Sequence, residues 1–239
     1  MAFNYKRVLL VGATSGIGEA MADKLVVEGA KVIAVGRRQE RLDAFVQKHG
    51  PEKASGIRDD INDRAGMDAF VEGVVAQYPD LDCVFLNSGV QHQEMSTNFN
   101  RLVDLSIKFL PHLQRKRDPT ALVFTGSVLA AIPGVTVPAY SASKAALNAY
   151  IMCLRRQNKG SATKIIEIWP PAVQSPEIGR KMGMPLQEFI DKAWEQLAAG
   201  SELVMVGPLV AQASFEDMVE TRRTTFENIS SVMLTHFEL

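Results

Sequence analysis

The sequence has few cysteines, no recognisable metal-ligand spacing and no long apolar run. Its two cysteines, Cys83 and Cys153, each lie in an apolar stretch, which favours small core residues over a disulfide or redox role. The four histidines are scattered, and no His-Glu-x-x-His or Cys-x-x-Cys pattern predicts a metal site. The apolar run Val8–Val11 is too short for a signal peptide, and no run reaches membrane-spanning length. These absences predict a cytoplasmic chain with no metal, disulfide or membrane partner.

The charges nearly cancel, with 26 Lys and Arg against 27 Asp and Glu. This balance argues against a nucleic-acid-binding surface spread over the whole chain, so no nucleic-acid partner is expected. The 46% hydrophobic and 22% charged residues are ordinary for a folded globular protein. No repeat, low-complexity linker or charge block marks a boundary, and 239 residues can form one core. We therefore expect a single domain over residues 1–239.

Short β-branched runs alternate with amphipathic segments along most of the chain. The predicted strands are Val8–Val11, Lys31–Val35, Cys83–Leu86, Ala121–Phe124 and Ile165–Trp169. The predicted helices are Ile17–Glu28, Arg38–Lys48, Ala65–Gln77, Thr97–Lys116 and Ala139–Arg156. This alternation predicts an α/β fold: a Rossmann-like, doubly wound parallel sheet with helices on both faces, in three αβα layers. Ligands of such sheets bind at the carboxyl ends of the strands.

The alternation weakens after Trp169. Pro170-Pro171 ends a strand, and a helix-prone stretch follows from Glu177 to Ala199. Residues 174–200 are interpreted as a substrate lid, and residues 201–239 as an extension with a strand at Leu203–Val206 and one or two helices from Val210 to Phe237. Two interpretations of the large apolar side chains in the lid stay open, contact with an apolar ligand or packing on the core; these side chains are Met182, Met184, Phe189 and Trp194.

A glycine-rich turn separates the first strand from the first helix. In the segment Gly12-Ala13-Thr14-Ser15-Gly16-Ile17-Gly18, glycines permit a tight turn and close approach of a pyrophosphate, and the helix N-terminus favours phosphate. The alternative is a plain glycine-rich loop, but the strand–turn–helix context favours dinucleotide binding. The expected cofactor-binding residues here are Gly12, Thr14, Ser15, Gly16, Ile17 and Gly18.

The end of the second strand carries arginines instead of an acid. The sequence Ala34-Val35-Gly36-Arg37-Arg38 has no carboxylate to hold a ribose 2′-hydroxyl, as an NAD site would require. A guanidinium binds a 2′-phosphate through paired, charge-assisted hydrogen bonds, so Arg37 and Arg38 favour NADP(H). The alternative is that both are solvated residues in the first turn of the next helix.

Tyr140 and Lys144 lie four positions apart at the start of a predicted helix, so they share a face. A nearby ammonium favours phenolate, and Lys144 is therefore expected to lower the pKa of Tyr140. Tyr140 could then donate a proton to a carbonyl oxygen, or accept one in the reverse direction. Taken alone, this spacing is common on protein surfaces.

With these motifs together, the chain resembles the short-chain dehydrogenase/reductase family. Gly12-x-x-x-Gly16-x-Gly18 has that family's spacing, and Ser127 precedes Tyr140 by thirteen positions at the end of a strand. Asp60-Ile61 is similar to the family's adenine-contacting turn after the third strand, and Leu86-Asn87-Ser88-Gly89 to its motif after the fourth. Asn98 lies where the family has its proton-relay asparagine.

The resemblance implies an NADPH-dependent oxidoreductase acting on a carbonyl or secondary alcohol of a small molecule, and the large apolar side chains of the lid favour an apolar one. Ser127 would bind the substrate oxygen, Tyr140 would donate the proton, Lys144 would bind the nicotinamide ribose and Asn98 would hold a relay water. Further cofactor contacts would come from Asp60, Ile61, Asn87, Ser88, Gly89, Tyr140, Lys144, Pro170, Val173 and Ser175.

The sequence departs from the family pattern at Val11, Leu86 and Pro171, and by a short segment before Asn98. Pro171 replaces a glycine and fixes φ in the loop expected under the nicotinamide. The Pro-Pro-Ala-Val sequence there is similar to the D-alanine-transfer-operon oxidoreductase subgroup. Only nine positions separate Gly89 from Asn98, fewer than the family usually has. We therefore expect a more open site and a homodimer or homotetramer with an altered interface.

An alternative function is an NADP(H)-binding protein of the same fold without net redox turnover, such as an isomerase, a cyclase or a sensor. Fold alone does not decide between the two. A pure binder has no need for Tyr140 with Lys144, which favours the enzyme.

Overall fold

A computed structural model of the chain describes residues 3–89, 94–174, 183–208 and 213–237. Its strands are β1 Arg7–Val11, β2 Lys31–Gly36, β3 Ala54–Arg58, β4 Cys83–Leu86, β5 Thr120–Thr125, β6 Thr163–Trp169 and β7 Leu203–Met205. Its α-helices are α1 Gly16–Val27, α2 Gln39–His49, α3 Met67–Gln77, α4 Arg101–Gln114, α5 Pro138–Gln157, α6 Leu186–Ala198 and α7 Ala213–Phe237. A π-helical turn, Ser96–Asn100, leads into α4, and a 3₁₀ turn, Val128–Ala130, follows β5.

The seven strands form one parallel sheet in the order β3-β2-β1-β4-β5-β6-β7. Chain order reverses between β1 and β4, which is where a doubly wound sheet opens a ligand crevice at the carboxyl ends of its strands. The predicted α/β, doubly wound fold is confirmed. The glycine turn after β1 and residues 87–89 after β4 lie on the two sides of this reversal.

Both faces of the sheet are buried under helices, as the apolar runs in the strands predicted. One core cluster includes Met21 and Leu25 of α1 together with Phe189 of α6, and the other includes Phe109 of α4 and Leu147 of α5. Alternate residues of β1, β2, β4 and β5 belong to opposite clusters, as the two-residue strand period requires. The three-layer arrangement follows from this alternation.

The strand β3 is absent from the strands that we predicted from β-branched runs. Its sequence, Ala-Ser-Gly-Ile-Arg, contains one β-branched residue, and its burial alternates because it lies at the edge of the sheet. The resemblance to the family did imply a third strand before Asp60. At the other end of the chain, the predicted one or two helices form one, α7.

The expected lid, residues 174–200, is described only in part, because residues 175–182 lie outside the described ranges. Its helix α6 packs on α1, and Phe189 is fully buried there. Trp194 contacts Phe3 edge to face, and Met184 packs against the same cluster. For these three side chains the packing interpretation applies; Met182 lies outside the described residues.

The two cysteines differ. Cys83 is buried in β4, as predicted, whereas Cys153 is exposed on α5, so its predicted place in the core is wrong. The apolar neighbours of Cys153 in sequence were misleading because α5 turns successive residues toward different faces. Among the described helices, none is long and apolar enough to cross a membrane.

Candidate active site

The turn between β1 and α1 is shaped by close backbone approaches. Gly12 and Gly16 have φ of +88° and +57°, in the left-handed region that favours glycine. A Cβ on Gly18 would lie 2.0 Å from the Gly12 carbonyl oxygen. The Gly12 and Ala13 N–H groups both donate to the Val35 carbonyl, at 2.9 and 3.0 Å, which fixes the turn against β2. The start of α1 therefore packs so tightly on the turn that only glycine fits at position 18.

Asn87 braces this turn from the end of β4. Its side-chain Nδ2 donates to the Gly12 carbonyl at 3.1 Å, and its Oδ1 accepts a hydrogen bond from Thr125 Oγ1 at 2.9 Å. Ser88 follows so closely that a Cβ on Gly12 would lie 2.7 Å from its Oγ. The structure thus brings Asn87, Ser88 and the glycine turn together, as the resemblance implied.

The two arginines after β2 have different contacts. The Arg38 guanidinium lies over the glycine turn, with Nη2 2.7 Å from Ser15 Oγ and 3.0 Å from Thr14 Oγ1. Arg37 is mostly exposed and pairs with Asp60, with 3.8 Å between Nη1 and Oδ2. Positive charge therefore gathers at the tip of β2 beside the turn. Asp60 also accepts hydrogen bonds from Asn62, while Ile61 is buried in the core beneath it.

Ser127 and Tyr140 meet where the 3₁₀ turn approaches the start of α5. Ser127 Oγ accepts a hydrogen bond from the Leu129 N–H at 3.1 Å, which holds the serine at the carboxyl end of β5. Burial raises the pKa of Tyr140, and a hydrogen bond with the Ser127 hydroxyl lowers it by less. The net effect keeps Tyr140 protonated at neutral pH, which suits a proton donor.

Lys144 is buried beneath Tyr140. Its Nζ donates to the Thr125 carbonyl at 2.7 Å and lies 5.7 Å from the centre of the Tyr140 ring. Burial lowers the pKa of Lys144 from 10.5 to about 8. The prediction that Lys144 lowers the pKa of Tyr140 differs from the structure, where that pKa is raised. The reason is geometric: the ammonium turns toward a backbone carbonyl, and burial of the phenol has the larger effect.

Asn98 is fully buried in the π-helical turn that precedes α4. Its Nδ2 donates to Ser143 Oγ at 3.3 Å, and Ser143 Oγ donates to the Tyr140 carbonyl at 2.7 Å. A Cβ on Gly89 would lie 3.6 Å from both Asn98 Oδ1 and Lys144 Nζ, so these two atoms border the same small space. Single π-helical turns occur frequently at functional sites.

The loop after β6 contributes the last predicted positions. Pro170 is buried, and its carbonyl accepts the Val128 N–H at 3.3 Å, so it contacts the 3₁₀ turn beside Ser127. Val173 is buried and pairs with Met184 through an isolated parallel bridge. Ser175 lies outside the described residues. The described part of this loop therefore places Pro170 near Ser127 and directs Val173 into the core.

The structure also brings to the site residues that sequence reasoning missed. Thr125 contacts both Asn87 and Lys144, and Asn148 donates from Nδ2 to Glu167 Oε2 at 2.9 Å. Glu167 is fully buried in the middle of β6. A signal for it was available, because an acid inside the apolar run Ile165–Trp169 is unusual for a central strand.

Comparisons with known proteins agree with this geometry. The short chain dehydrogenase family model matches residues 6–185. The chain is 32% identical over 190 residues to the oxidoreductase DltE of Bacillus subtilis strain 168, covering 73% of this chain and 74% of that protein. It is 28% identical over 205 residues to the NADP-dependent 3-hydroxy acid dehydrogenase YdfG of Salmonella typhi, covering 80% and 82%.

Solved structures show the same fold. The bulky-bulky ketone specific alcohol dehydrogenase from Comamonas testosteroni matches with a TM-score of 0.80 at 18% identity, covering 93% of this chain and 94% of that one. The 3-ketoacyl-(acyl-carrier-protein) reductase from Brucella melitensis, complexed with NADH, matches with a TM-score of 0.76 at 21% identity, covering 86% and 98%. With the family model matching most of the chain, and with DltE similar as the Pro-Pro-Ala-Val motif indicated, the protein belongs to the short-chain dehydrogenase family of oxidoreductases.

Proposed function

We propose that this oxidoreductase uses NADPH to reduce a carbonyl group of a small molecule to an alcohol, or catalyses the reverse reaction, with Tyr140 as the general acid or base. The observation that carries the proposal is the convergence of three side chains. The Ser127 hydroxyl is near enough to Tyr140 to lower its pKa, and Lys144 Nζ lies 5.7 Å from the centre of the Tyr140 ring. Phe189 and Trp194, on which the prediction of an apolar substrate partly rested, pack in the core. The proposal is therefore limited to the carbonyl class.

The turn after β1 fits a dinucleotide. A side chain at Gly12 or Gly18 would collide with Ser88 or with backbone, so the turn depends on glycine at both positions. The helix α1 begins at Gly16, and the side chain of its N-cap residue, Ser15, does not cap it, which suits a phosphate at the helix N-terminus. Gly12, Thr14, Ser15, Gly16, Ile17 and Gly18 would hold the pyrophosphate, with Asp60, Ile61, Asn87, Ser88 and Gly89 beside the adenosine and ribose. Pro170, Val173 and Ser175 would lie by the carboxamide, and Lys144 by the nicotinamide ribose. When bound, the nicotinamide supplies the hydride.

The protein's part is orientation and proton supply. Ser127 would hold the substrate oxygen beside the Tyr140 hydroxyl, whose raised pKa keeps its proton available for that oxygen. Lys144, with a pKa of about 8, would stabilise the phenolate that remains. Asn98 Oδ1 borders the same space as Lys144 Nζ. It would hold a water that returns a proton to Lys144.

NADPH is favoured over NADH by the charge at the end of β2. Arg38 lies 2.7 Å from Ser15 Oγ, Arg37 lies beside it, and YdfG is an NADP-dependent relative. Replacing Arg38 by Ala is expected to weaken NADPH binding by about 10- to 100-fold, because a charge-assisted hydrogen bond contributes about 1.5–3 kcal/mol. NADH binding should change much less. Arg41→Ala is the matched control, since Arg41 pairs with Glu19 on the surface at 3.9 Å. Equal loss of NADPH affinity in both variants, by fluorescence titration, would remove Arg38 from the site.

The reaction is tested by following NADPH consumption with a panel of ketones, aldehydes and quinones. Wild type should turn over at least one, and Tyr140→Phe should lose about 10²- to 10⁴-fold in rate while still binding NADPH. Tight NADPH binding without turnover of any compound would instead support a redox-neutral enzyme or a sensor. An active Tyr140→Phe variant would remove Tyr140 from its proposed role.

The assembly and location of the chain are also proposals. Because only nine positions separate Gly89 from Asn98, we propose a homodimer or homotetramer whose interface differs from the family's usual one. Light scattering of the purified protein measures the oligomer, and a monomer at micromolar concentration would contradict it. A cytoplasmic location stays a prediction from the sequence.

A further inference from the structure

Lys144 and Glu167 are the two most deeply buried Lys, Arg, Asp or Glu side chains among the described residues, with 2% and 0% exposure. Placing an unpaired carboxylate inside a protein costs several kcal/mol, so such a group is kept only where something opposes that cost. Glu167 is in the middle of β6, between two apolar neighbours on each side of the chain. Its position therefore requires an explanation beyond packing.

The carboxylate is held close to the peptide that binds Lys144. Asn148 lies four residues after Lys144 on α5, so both side chains share a face, and Asn148 Nδ2 donates to Glu167 Oε2 at 2.9 Å. Lys144 Nζ donates to the carbonyl of Thr125, and the next residue is Gly126. A Cβ on Gly126 would lie 2.6 Å from Glu167 Oε1. Because Gly126 has no side chain, the Glu167 carboxylate can lie next to it, one residue after Thr125, which binds the Lys144 ammonium.

Few hydrogen bonds stabilise this carboxylate. Glu167 Oε1 has no well-aligned hydrogen-bond partner among the described side chains, and neither has the neighbouring Trp169 Nε1. The Trp169 indole is near enough to lower the pKa of Glu167, but burial raises that pKa by more. Nearby cations supply further stabilisation of a negative charge on Glu167, in addition to Trp169 and Asn148.

The cations that face Glu167 both come from α5. They are Lys144 and Arg155, and the Arg155 donors Nε and Nη2 are already bonded to the carbonyls of Ile165 and Glu202. Arg155 is also faced by Arg223 and Glu227 of α7 and by Glu202, which directly precedes β7. Around Lys144 itself, Tyr140 is neutral at neutral pH and Asn98 is uncharged. Glu167 is thus the negative charge that acts on Lys144 from the neighbouring strand.

We propose that Glu167 is a positioning residue that keeps Lys144 in its ammonium form, with Asn148 and Gly126 fixing the carboxylate in place. Only its effect on turnover rests on the proposed function; its effect on the charge of Lys144 does not. The direction of each effect on the pKa of Lys144 agrees with this role. Burial lowers the pKa of Lys144 to about 8 and the Glu167 charge raises it, so that without Glu167 the pKa would be lower still.

The test measures the charge of Lys144 directly. Protein labelled with ¹³C at lysine Cε is titrated by NMR, and Lys144→Met identifies the signal. In wild type the midpoint should lie near pH 8. In Glu167→Gln, which keeps the shape and removes the charge, we expect the midpoint to fall by about one pH unit or more. Glu202→Gln is the matched control, because Glu202 is partly exposed beside Lys164 and Arg155 and should leave the midpoint unchanged.

Glu167→Asp is the second variant, and it carries the test if Glu167→Gln does not fold. It keeps the charge but shortens the side chain, so its midpoint should lie between those of wild type and Glu167→Gln. An unchanged midpoint in Glu167→Gln, or one moved equally by Glu202→Gln, would overturn the proposal. For Glu167→Asp alone, an unchanged midpoint would do the same.

Turnover supplies a second, separable readout. If a substrate is found, the loss of rate at alkaline pH should move to lower pH in Glu167→Gln by the same shift as the NMR midpoint. A wild-type protein without turnover contradicts the proposed function and leaves the titration result intact. If Glu167→Gln turns over substrate with the same alkaline pH limit and the same NMR midpoint as wild type, the role of Glu167 is contradicted and the proposed function is not.

Discussion

Replacing Gly18 by Ala tests whether the glycine turn is as tightly packed as the structure indicates. A Cβ at this position would lie 2.0 Å from the Gly12 carbonyl oxygen and 2.5 Å from Asn87 Nδ2. Both neighbours are held, because the Gly12 N–H is bonded to Val35 and Asn87 is bonded to Thr125. The start of α1 must therefore move by about 1 Å to restore ordinary contact distances.

The expected cost combines three effects. Overpacking costs about 1–3 kcal/mol, and loss of the Asn87–Gly12 hydrogen bond costs about 0.5–1.5 kcal/mol. Alanine is favoured over glycine inside a helix by roughly 0.5–1 kcal/mol, which offsets part of this. We expect a net loss of about 2 kcal/mol, which for a chain of this size lowers Tm by roughly 4–8 °C. NADPH binding should weaken as well, because the turn that would hold the pyrophosphate is displaced.

Gly73→Ala is the matched control, because Gly73 is exposed within α3 and a Cβ there would have no neighbour within 4 Å. That variant should gain about 0.5–1 kcal/mol. Urea unfolding of both variants gives the comparison. If Gly18→Ala is as stable as Gly73→Ala and binds NADPH like wild type, the close packing of the turn is not a property of this protein.

Two further outcomes concern the buried charges. Gly126→Ala should destabilise the fold by about 1–3 kcal/mol in urea unfolding, because its Cβ would meet Glu167 Oε1 at 2.6 Å; an unchanged midpoint would contradict this contact. Lys144 has a lowered pKa of about 8 in the folded state against 10.5 when exposed, so the unfolded state binds more protons between these values. Its destabilising effect is therefore full below pH 8 and lost as pH rises toward 10.5. As the pH rises from 8 to 10.5, the unfolding free energy of wild type should therefore increase relative to that of Lys144→Met. A difference between the two proteins that stays constant with pH would count against the lowered pKa.

The sequence was sufficient to predict most of the fold because the central strands are apolar on both faces. The runs Val8–Val11 and Ala121–Phe124 are continuously apolar, which makes them recognisable as buried strands, and they fall within β1 and β5. The edge strand Ala54–Arg58 has no such run, since one side of it faces no neighbouring strand. Its place follows from pairing with β2, a contact that local pattern does not encode.

The candidate site was partly predictable for the same reason. Turn glycines and the spacing of Tyr140 and Lys144 are local signals, and the structure brings these residues to one end of the sheet. The sign of the pKa change at Tyr140 was predicted wrongly, because spacing alone does not show which carbonyl an ammonium contacts or how deeply a phenol is buried. Glu167 of β6 acts on Lys144 of α5 only through the packing of that helix on the sheet, which no local pattern encodes.

The most direct test of the proposed function follows the hydride itself. Wild-type protein is incubated with a carbonyl compound from the panel and NADPH deuterated at both C4 positions of the nicotinamide, and the product is examined by mass spectrometry and NMR. The proposed function predicts an alcohol with one deuterium on the carbinol carbon. An alcohol without deuterium, or NADPH that stays bound and unoxidised with every carbonyl compound, would contradict the assignment of this chain as an NADPH-dependent carbonyl reductase.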